Sequence, residues 1–305
     1  MFGLRKKGNT VAIVGCHRSG TSILAQLLYF SGFNMRDSKR LLVEADQENP
    51  TGYWEDRDAQ NLNNRALETL GGSWYRPVLF VDGWAIKCKE AGLLSDISDF
   101  LGTNRNGFLF KDPRTTVCLP LWLMVNPKIR LVYIIRNPIS VANSLYSRRV
   151  SLSCEHGLWL WAMYNCCCIK DGAYNIAAMT SYEALVSNPV HELGNILSAF
   201  QIKYSNDKIE RSIADHLIIK KNMNAKVDTC YLSRFKWLEE FWYLLENVSN
   251  AYKIECEAGL GRERKKVEQY IGSAYFKNNL TQLEEEAQAS FCRLYEITSS
   301  LKKNG

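Results

Sequence analysis

The sequence predicts an α/β fold: three layers, a central parallel sheet between helices, and a helical region towards the C-terminal end. Three observations predict it. Short apolar runs alternate with helical patterns through the first two hundred or so residues. The first of these runs passes through a polar, glycine-containing turn straight into an apolar helix. From about Asp207 onward no convincing strand remains.

The first strand is read from Val11, Ile13 and Val14, a β-branched run that ends at Gly15. The turn His17-Arg18-Ser19-Gly20-Thr21-Ser22 follows, then a helix with Ile23, Leu24, Leu27 and Leu28 at helical spacing. Further strands are expected at residues 108–110, 130–135 and 176–180. Helices are expected at 58–70, 139–147, 158–169 and 191–200. In the last third, helices are expected at 235–245 and 281–301, and loops at 222–229 and 259–264. Thr281 with Glu284 has the spacing of a capping box. Leu283, Ala287, Phe291, Leu294 and Leu301 then form an apolar stripe suited to packing or docking. The division is into a core at 1–204 and a helical extension at 205–305 packed on it.

The 305 residues are 46% hydrophobic and 23% charged, as in an ordinary water-soluble globular protein. A net charge of +6 suits an enzyme of anionic ligands and does not call for nucleic acid. The opening MFGLRKKGNT is basic but runs into no cleavable apolar stretch, and no apolar run is long enough to span a bilayer. The ten cysteines have no zinc-ligand spacing, and Cys166, Cys167 and Cys168 are adjacent. Reduced, packed thiols and a cytoplasmic location are expected. The four histidines, His17, His156, His191 and His216, are scattered, so no metal site is expected.

The strand–turn–helix at 11–28 has the layout of a phosphate-binding P-loop. Gly15 and Gly20 have its spacing and Ser22 takes its Ser/Thr place, but Thr21 stands where a nucleotide triphosphatase carries Lys. The N–H groups of residues 19–22 would converge at a helix N-terminus, where the dipole favours an anion. Gly20 lets the backbone approach, and Arg18 adds a permanent cation. Ligands of parallel sheets bind at the carboxyl ends of the strands. After 108–110 comes Lys111-Asp112-Pro113-Arg114; after 130–135 comes Arg136-Asn137-Pro138 and a helix carrying Ser144. Arg18, Lys111 and Arg136 thus put cations at three strand ends, as a polyanion site requires.

These motifs together resemble the sulfotransferases that use 3′-phosphoadenosine 5′-phosphosulfate (PAPS). HRSGTS is similar to that family's 5′-phosphosulfate loop. The run from Arg136 to Ser144 resembles its 3′-phosphate motif, in which an Arg and a Ser eight residues later bind the phosphate. Ser181-Tyr182-Glu183-Ala184-Leu185, with Asn188-Pro189, resembles an element whose Tyr lies near the adenine. Lys111-Asp112-Pro113 resembles the tyrosylprotein branch and bacterial glycan-type members, whose Lys sits at the transferring sulfuryl group. Asn49-Pro50-Thr51-Gly52-Tyr53-Trp54-Glu55 also resembles a stretch of bacterial members. The resemblance covers roughly residues 9–200. Two departures stand out: His17 replaces a small residue or Pro, and Pro113 occupies the place of the base His of cytosolic members.

The resemblance implies in-line transfer of a sulfuryl group from PAPS to an acceptor hydroxyl, with PAP (3′-phosphoadenosine 5′-phosphate) as product and no metal. Arg18, Ser19, Gly20, Thr21, Ser22, Arg136, Ser144 and Tyr182 would bind the donor. Arg18 and Lys111 would stabilise the charge of the transition state. A carboxylate would serve as base: Glu55 first, because it ends a turn-rich segment, then Glu48 and Glu44. Trp54, Trp74, Trp84, Trp159 and Trp161 fall near segments that could line an acceptor cleft, with Trp54 the preferred contact and Trp161 the core residue. A carbohydrate or glycolipid is the expected acceptor, and a homodimer remains open. A small-molecule P-loop kinase would want a Lys in the loop and an acidic metal ligand; Thr21 speaks against the first, and Asp112 could supply the second. A non-catalytic binding protein on the same fold need not keep Arg18, Lys111, Arg136 and Ser144 together.

Overall fold

A computed structural model describes residues 10–36, 40–44, 52–78, 80, 82–103, 107–147, 152–216, 234–253 and 257–303. Four parallel strands form the sheet: β1 (Val11–Val14), β4 (Leu109–Lys111), β5 (Arg130–Ile135) and β6 (Ile176–Ser181), in the order β4-β1-β5-β6. A second, two-residue antiparallel pair joins β2 (Leu41–Leu42) to β3 (Glu55–Asp56). The helices of the first half are α1 (Thr21–Ser31), α2 (Arg57–Thr69), α3 (Trp84–Glu90), α4 (Leu93–Gly102), α5 (Leu119–Val125) and α6 (Pro138–Tyr146). Those of the second half are α7 (Cys154–Gly172), α8 (Tyr182–Ser187), α9 (Pro189–Ala199), α10 (Asn206–His216), α11 (Lys236–Lys253), α12 (Glu257–Gly272) and α13 (Ala274–Lys303).

The period-two alternation of the strands divides the core into two layers. Val11, Ile13, Val132 and Ile134 face Leu24, Leu27 and Leu28 of α1, with Leu193 and Leu197 of α9. Ala12, Val14, Phe110, Tyr133 and Ile135 face the opposite way, onto Trp122 of α5 and Trp161 and Tyr164 of α7. Trp122 and Trp161 are fully buried, and each satisfies its indole N–H: Trp122 donates to Asn63 Oδ1 at 2.7 Å, Trp161 to the Arg136 carbonyl at 2.8 Å.

The turns that feed the helices are capped by their own residues. Asp56 accepts from the N–H groups of Asp58 and Ala59, Asn137 from Ile139 and Ser140, Ser153 from His156, and Ser181 from Ala184. Pro138 at the first position of α6 lacks an N–H that would have no intrahelical partner there. Each cap begins a helix close behind the edge where the site lies.

The helices after residue 233 complete the second layer. α11, α12 and α13 lie on α7, and Phe241 and Trp242 of α11 pack on Trp161 at 5.4 and 6.4 Å between ring centres. α10 packs on α1 and α9. Lys253 at the end of α11 reaches buried Glu192 at 2.8 Å, and Glu192 also accepts from Thr180 Oγ1 at 2.6 Å.

Two expectations fail here. Residues 259–264 are not a loop but the body of α12, whose Leu260, Val267, Tyr270 and Ile271 pack on the core; that burial outweighs the helix cost of Gly259 and Gly261. Thr281 does not begin a helix. It lies inside α13 and donates to the Lys277 carbonyl at 3.0 Å, while Ser273 caps the helix by accepting from the Phe276 N–H. Leu283 and Ala287 of the expected stripe are buried; the side chains of Phe291, Leu294 and Leu301, and the loop expected at 222–229, lie outside the described residues.

Cys16, Cys88, Cys118, Cys154, Cys166, Cys167 and Cys168 are free, and all but Cys154 and Cys166 are buried. No helix among the described residues is long and apolar enough to cross a membrane, and no group of metal-ligating side chains occurs among them.

Gly157 marks a close approach of α7 to α6. A Cβ there would sit 2.7 Å from Ala142 Cα and 3.3 Å from its carbonyl oxygen. Gly157→Ala must push α7 from α6, so it is expected to lower stability by about 1–3 kcal/mol, read from the urea midpoint of the variant.

Candidate functional site

The site is built on the carboxyl edge of the sheet. Leaving β1, the chain turns at Gly15, whose φ of +152° and close approach to β5 exclude a side chain: a Cβ would lie 2.4 Å from the Ile134 carbonyl oxygen. The Gly15 N–H donates to Thr116 Oγ1 at 2.9 Å, and that hydroxyl donates to the Gly15 carbonyl at 3.1 Å, so the loop after β4 braces the loop after β1. Arg18 takes a left-handed conformation with φ of +66°. Gly20, with φ of +92°, opens α1, and no side chain caps that helix. The first N–H groups of α1 therefore face the loop's concavity, at the positive end of the dipole.

Two clusters flank this helix end. In the first, Arg18 Nε donates to Ser144 Oγ of α6 at 2.8 Å, and Arg136 Nη1 donates to the Arg18 carbonyl at 2.9 Å. The Arg136 guanidinium lies 4.2 Å over the Tyr182 ring, and Tyr182 fills the space beside Gly20, where a Cβ would meet its ring at 2.6 Å. Burial pulls the Arg136 pKa down, partly opposed by Tyr182 and Glu183. Burial pushes the Glu183 carboxyl up, partly opposed by the Asn137 N–H that it accepts at 3.1 Å. Arg136 Nε and Ser19 Oγ are buried and find no hydrogen-bond partner in the protein.

The second cluster is a buried group of four charges. Lys111, 1% exposed, donates to Ser22 Oγ at 3.1 Å, to the Tyr53 carbonyl at 2.9 Å and to Glu55 Oε1 at 3.0 Å. Glu55 Oε2 accepts from Gln60 Nε2 at 2.8 Å and lies 3.5 Å from Arg114 Nη1. Arg114 Nη1 donates to Asp112 Oδ2 at 2.6 Å, and Asp112 Oδ1 accepts from Asn63 Nδ2 at 2.9 Å and from the Arg114 N–H at 3.0 Å. Burial alone would raise the Glu55 carboxyl; Lys111 and Arg114 more than offset it and hold its pKa below the usual value. Burial lowers the Lys111 pKa against the pull of Glu55, and raises Asp112 to about 6 against the pull of Arg114.

The structure thus gathers Arg18, Ser19, Gly20, Thr21, Ser22, Lys111, Arg136, Ser144, Tyr182 and Glu55 along one edge, with Ser22 joining the helix end to the charge cluster. Glu48 lies outside the described residues. Glu44 is exposed and faces Arg57 at 3.7 Å. Trp54 is corrected from an acceptor contact to a core residue. Its φ of +55° turns the ring under α1, where it is 7% exposed and packs on Tyr29 and Phe30 at 5.5 and 5.7 Å. Trp84 packs on Phe80, and Trp159 and Trp161 are buried. Trp74 is the tryptophan at the loop: half-buried, it packs on the His17 ring at 4.7 Å, and Tyr164 touches the same imidazole edge-on at 5.5 Å.

Sequence reading missed Thr116, Gln60, Asn63 and the role of Arg114. One signal existed. Asn63 falls on the buried stripe of α2 with Ala59, Leu62, Ala66 and Leu67, and a polar residue on such a stripe must have a buried partner.

A family model described as "Sulfotransferase family" matches residues 10–206. Among solved structures, sulfotransferase STF9 from Mycobacterium avium is 16% identical, over 70% of this chain and 69% of that one, with a TM-score of 0.46. STF1 from Mycobacterium tuberculosis H37Rv is 12% identical over 74% and 76%, with a TM-score of 0.42. Retinol dehydratase in complex with androsterone and inactive cofactor PAP is 17% identical over 70% and 66%, with a TM-score of 0.35. Comparison with curated proteins finds no match.

The charge cluster makes a prediction about pH. The Asp112 pKa rises from 3.8 to about 6 on folding. Between those values the folded protein holds a proton that the unfolded chain has lost, so this carboxyl makes stability fall as pH rises, and the fall is complete above about 6. Asp112→Asn removes that component. The urea midpoint of the variant relative to the unaltered protein is therefore expected to climb with pH across this window.

Proposed function

The chain belongs to the sulfotransferase family, and on that premise we propose that it moves a sulfuryl group from PAPS to an acceptor hydroxyl, with PAP as product. The observation that carries the donor assignment is the hydrogen-bonded chain Ser144–Arg18–Arg136 at the uncapped start of α1. The residues present fit the donor. Arg136 Nε and Ser19 Oγ are buried polar atoms in want of a partner, and no side chain caps the helix that Gly20 opens. The donor supplies a sulfuryl group on a phosphosulfate anhydride, a good leaving arrangement that needs no metal in principle.

Arg136 and Ser144 hold the 3′-phosphate through charge-assisted hydrogen bonds, and Tyr182 packs near the adenine. Ser19, Gly20, Thr21 and Ser22 offer N–H groups to the 5′-phosphosulfate. Arg18 and Lys111 balance the charge that builds on the bridging and sulfonate oxygens. Glu55 takes the acceptor's proton as the acceptor oxygen bonds to sulfur and the bridging S–O bond breaks. Two properties support Glu55 in that role: it is buried, and it adjoins Lys111, whose release from it would raise its basicity.

A carbohydrate or glycolipid hydroxyl is the acceptor we favour, by resemblance to bacterial glycan-type members; the half-buried Trp74 beside His17 offers an aromatic face for a sugar ring. Residues 1–204 would carry the chemistry and 205–305 would support it. The free described cysteines suit a cytoplasmic setting.

Calorimetric titration with PAP in the absence of magnesium, beside an ATP–magnesium control, tests the donor site. Binding of PAP that collapses in Arg136→Ala is expected; binding of ATP in its place would turn the reading towards a kinase, and silence from both towards a scaffold. Glu55→Gln is expected to lower kcat about 10²–10⁴-fold with PAP affinity unchanged, and full turnover in that variant removes Glu55 as the base.

A further inference from the structure

A lysine ammonium has three donors, and all three of Lys111 are engaged: by Ser22 Oγ, by the Tyr53 carbonyl and by Glu55 Oε1. A sulfuryl oxygen can bond Lys111 only if one of these is released. Releasing Ser22 or Tyr53 would detach the side chain from the loop or the turn that aims it. Glu55 is the bond to exchange, because its carboxylate has further partners.

Those partners are set by the turn after β4. Pro113 starts a short 3₁₀ turn, and Asp112 caps it by accepting from the Arg114 N–H. The turn brings Arg114 back beside its own cap, with Nη1 2.6 Å from Asp112 Oδ2 and 3.5 Å from Glu55 Oε2. Gln60 adds a neutral donor to the same Glu55 oxygen at 2.8 Å. Arg114 is 11% exposed at its side chain, and its Nε is buried with no hydrogen-bond partner in the protein, so the guanidinium has donor capacity to spare.

We propose that Arg114 is a positioning residue for Glu55: it holds the carboxylate and balances its charge when Lys111 turns from Glu55 to the transferring sulfuryl group. This rests on the reading of Glu55 as the base. The cluster contains two cations and two carboxylates, Lys111 and Arg114 against Glu55 and Asp112. Proton uptake by Glu55, as the acceptor oxygen bonds to sulfur and the bridging oxygen leaves with its electron pair on PAP, gives the cluster one positive charge in excess. That charge arises next to the loop where the new negative charge of PAP would lie. Around it, Tyr164 and Cys118 are held neutral by burial, which raises both pKa values.

The test follows the Glu55 carboxyl itself, in protein labelled with ¹³C at the glutamate side-chain carboxyl and with the signal assigned by its loss in Glu55→Gln. The titration midpoint of Glu55 is expected to rise in Arg114→Gln and to rise less in Arg114→Lys, which keeps the charge and loses the fork. It is expected to fall in Asp112→Asn, which frees Arg114 and removes a neighbouring negative charge. PAP affinity by calorimetry should stay unchanged in the Arg114 variants. A loosened fold cannot move the midpoint in opposite directions, and if Arg114→Gln does not fold, the Lys and Asn variants carry the test. An unmoved midpoint in Arg114→Lys and Asp112→Asn overturns the proposal while leaving Glu55 as base. Full turnover in Glu55→Gln overturns both, and a shifted midpoint then reports only a structural ion pair.

Discussion

Parallel pairing is the constraint from which the rest follows. Strands that run the same way must all be connected by crossovers, so every β-to-α turn leaves from one edge. With β1 between β4 and β5, the loop after β1 meets Lys111 on one side and Arg136 on the other. Residues more than ninety positions apart in the chain are thereby made neighbours by a register of three or four residue pairs. The hydrogen bonds Gly15–Thr116 and Arg136–Arg18 then lock those turns together.

The edge is shaped by how charge is buried. The ions at Lys111 have little solvent, so each needs a partner within the protein, and the removal of one partner from such a set costs about 3–5 kcal/mol. The four charges are held by uncharged donors and carbonyls as well: Gln60, Asn63, Ser22 and the Tyr53 backbone. Two nearby carboxyls shift in opposite directions: burial, with repulsion from Glu55, raises Asp112 against the pull of Arg114, whereas at Glu55 the cations Lys111 and Arg114 outweigh burial.

The parts of the fold written locally could be read from the sequence, and the parts written by contact could not. β1 and β5 stand where their β-branched and apolar runs predict them, and α1 begins where Gly20 turns the chain. The residues that gather at the sheet edge could be read because strand, turn and helix are contiguous in each motif. Trp54 was misread because its neighbours in sequence are polar turn residues, whereas its burial depends on Tyr29 and Phe30 of α1. α12 was missed because two glycines near its start argue against a helix, and only the surface beneath it decides otherwise. Asn63 and Thr116 act through partners about fifty and a hundred residues away, which no window of sequence contains.

The clasp of α11 has a consequence for how the chain can be cut. The match to the family ends at residue 206, yet Trp161, which holds the Arg136 carbonyl, is covered by Phe241 and Trp242 from beyond that point. Tyr252 ties the start of β6 through its bond to the Ile176 carbonyl at 3.0 Å, and Lys253 neutralises the buried Glu192. A recombinant fragment that stopped at the homology border would leave an indole wall and an uncompensated carboxylate open to water. The border of the family match and the border of the packed core are therefore different places in this molecule.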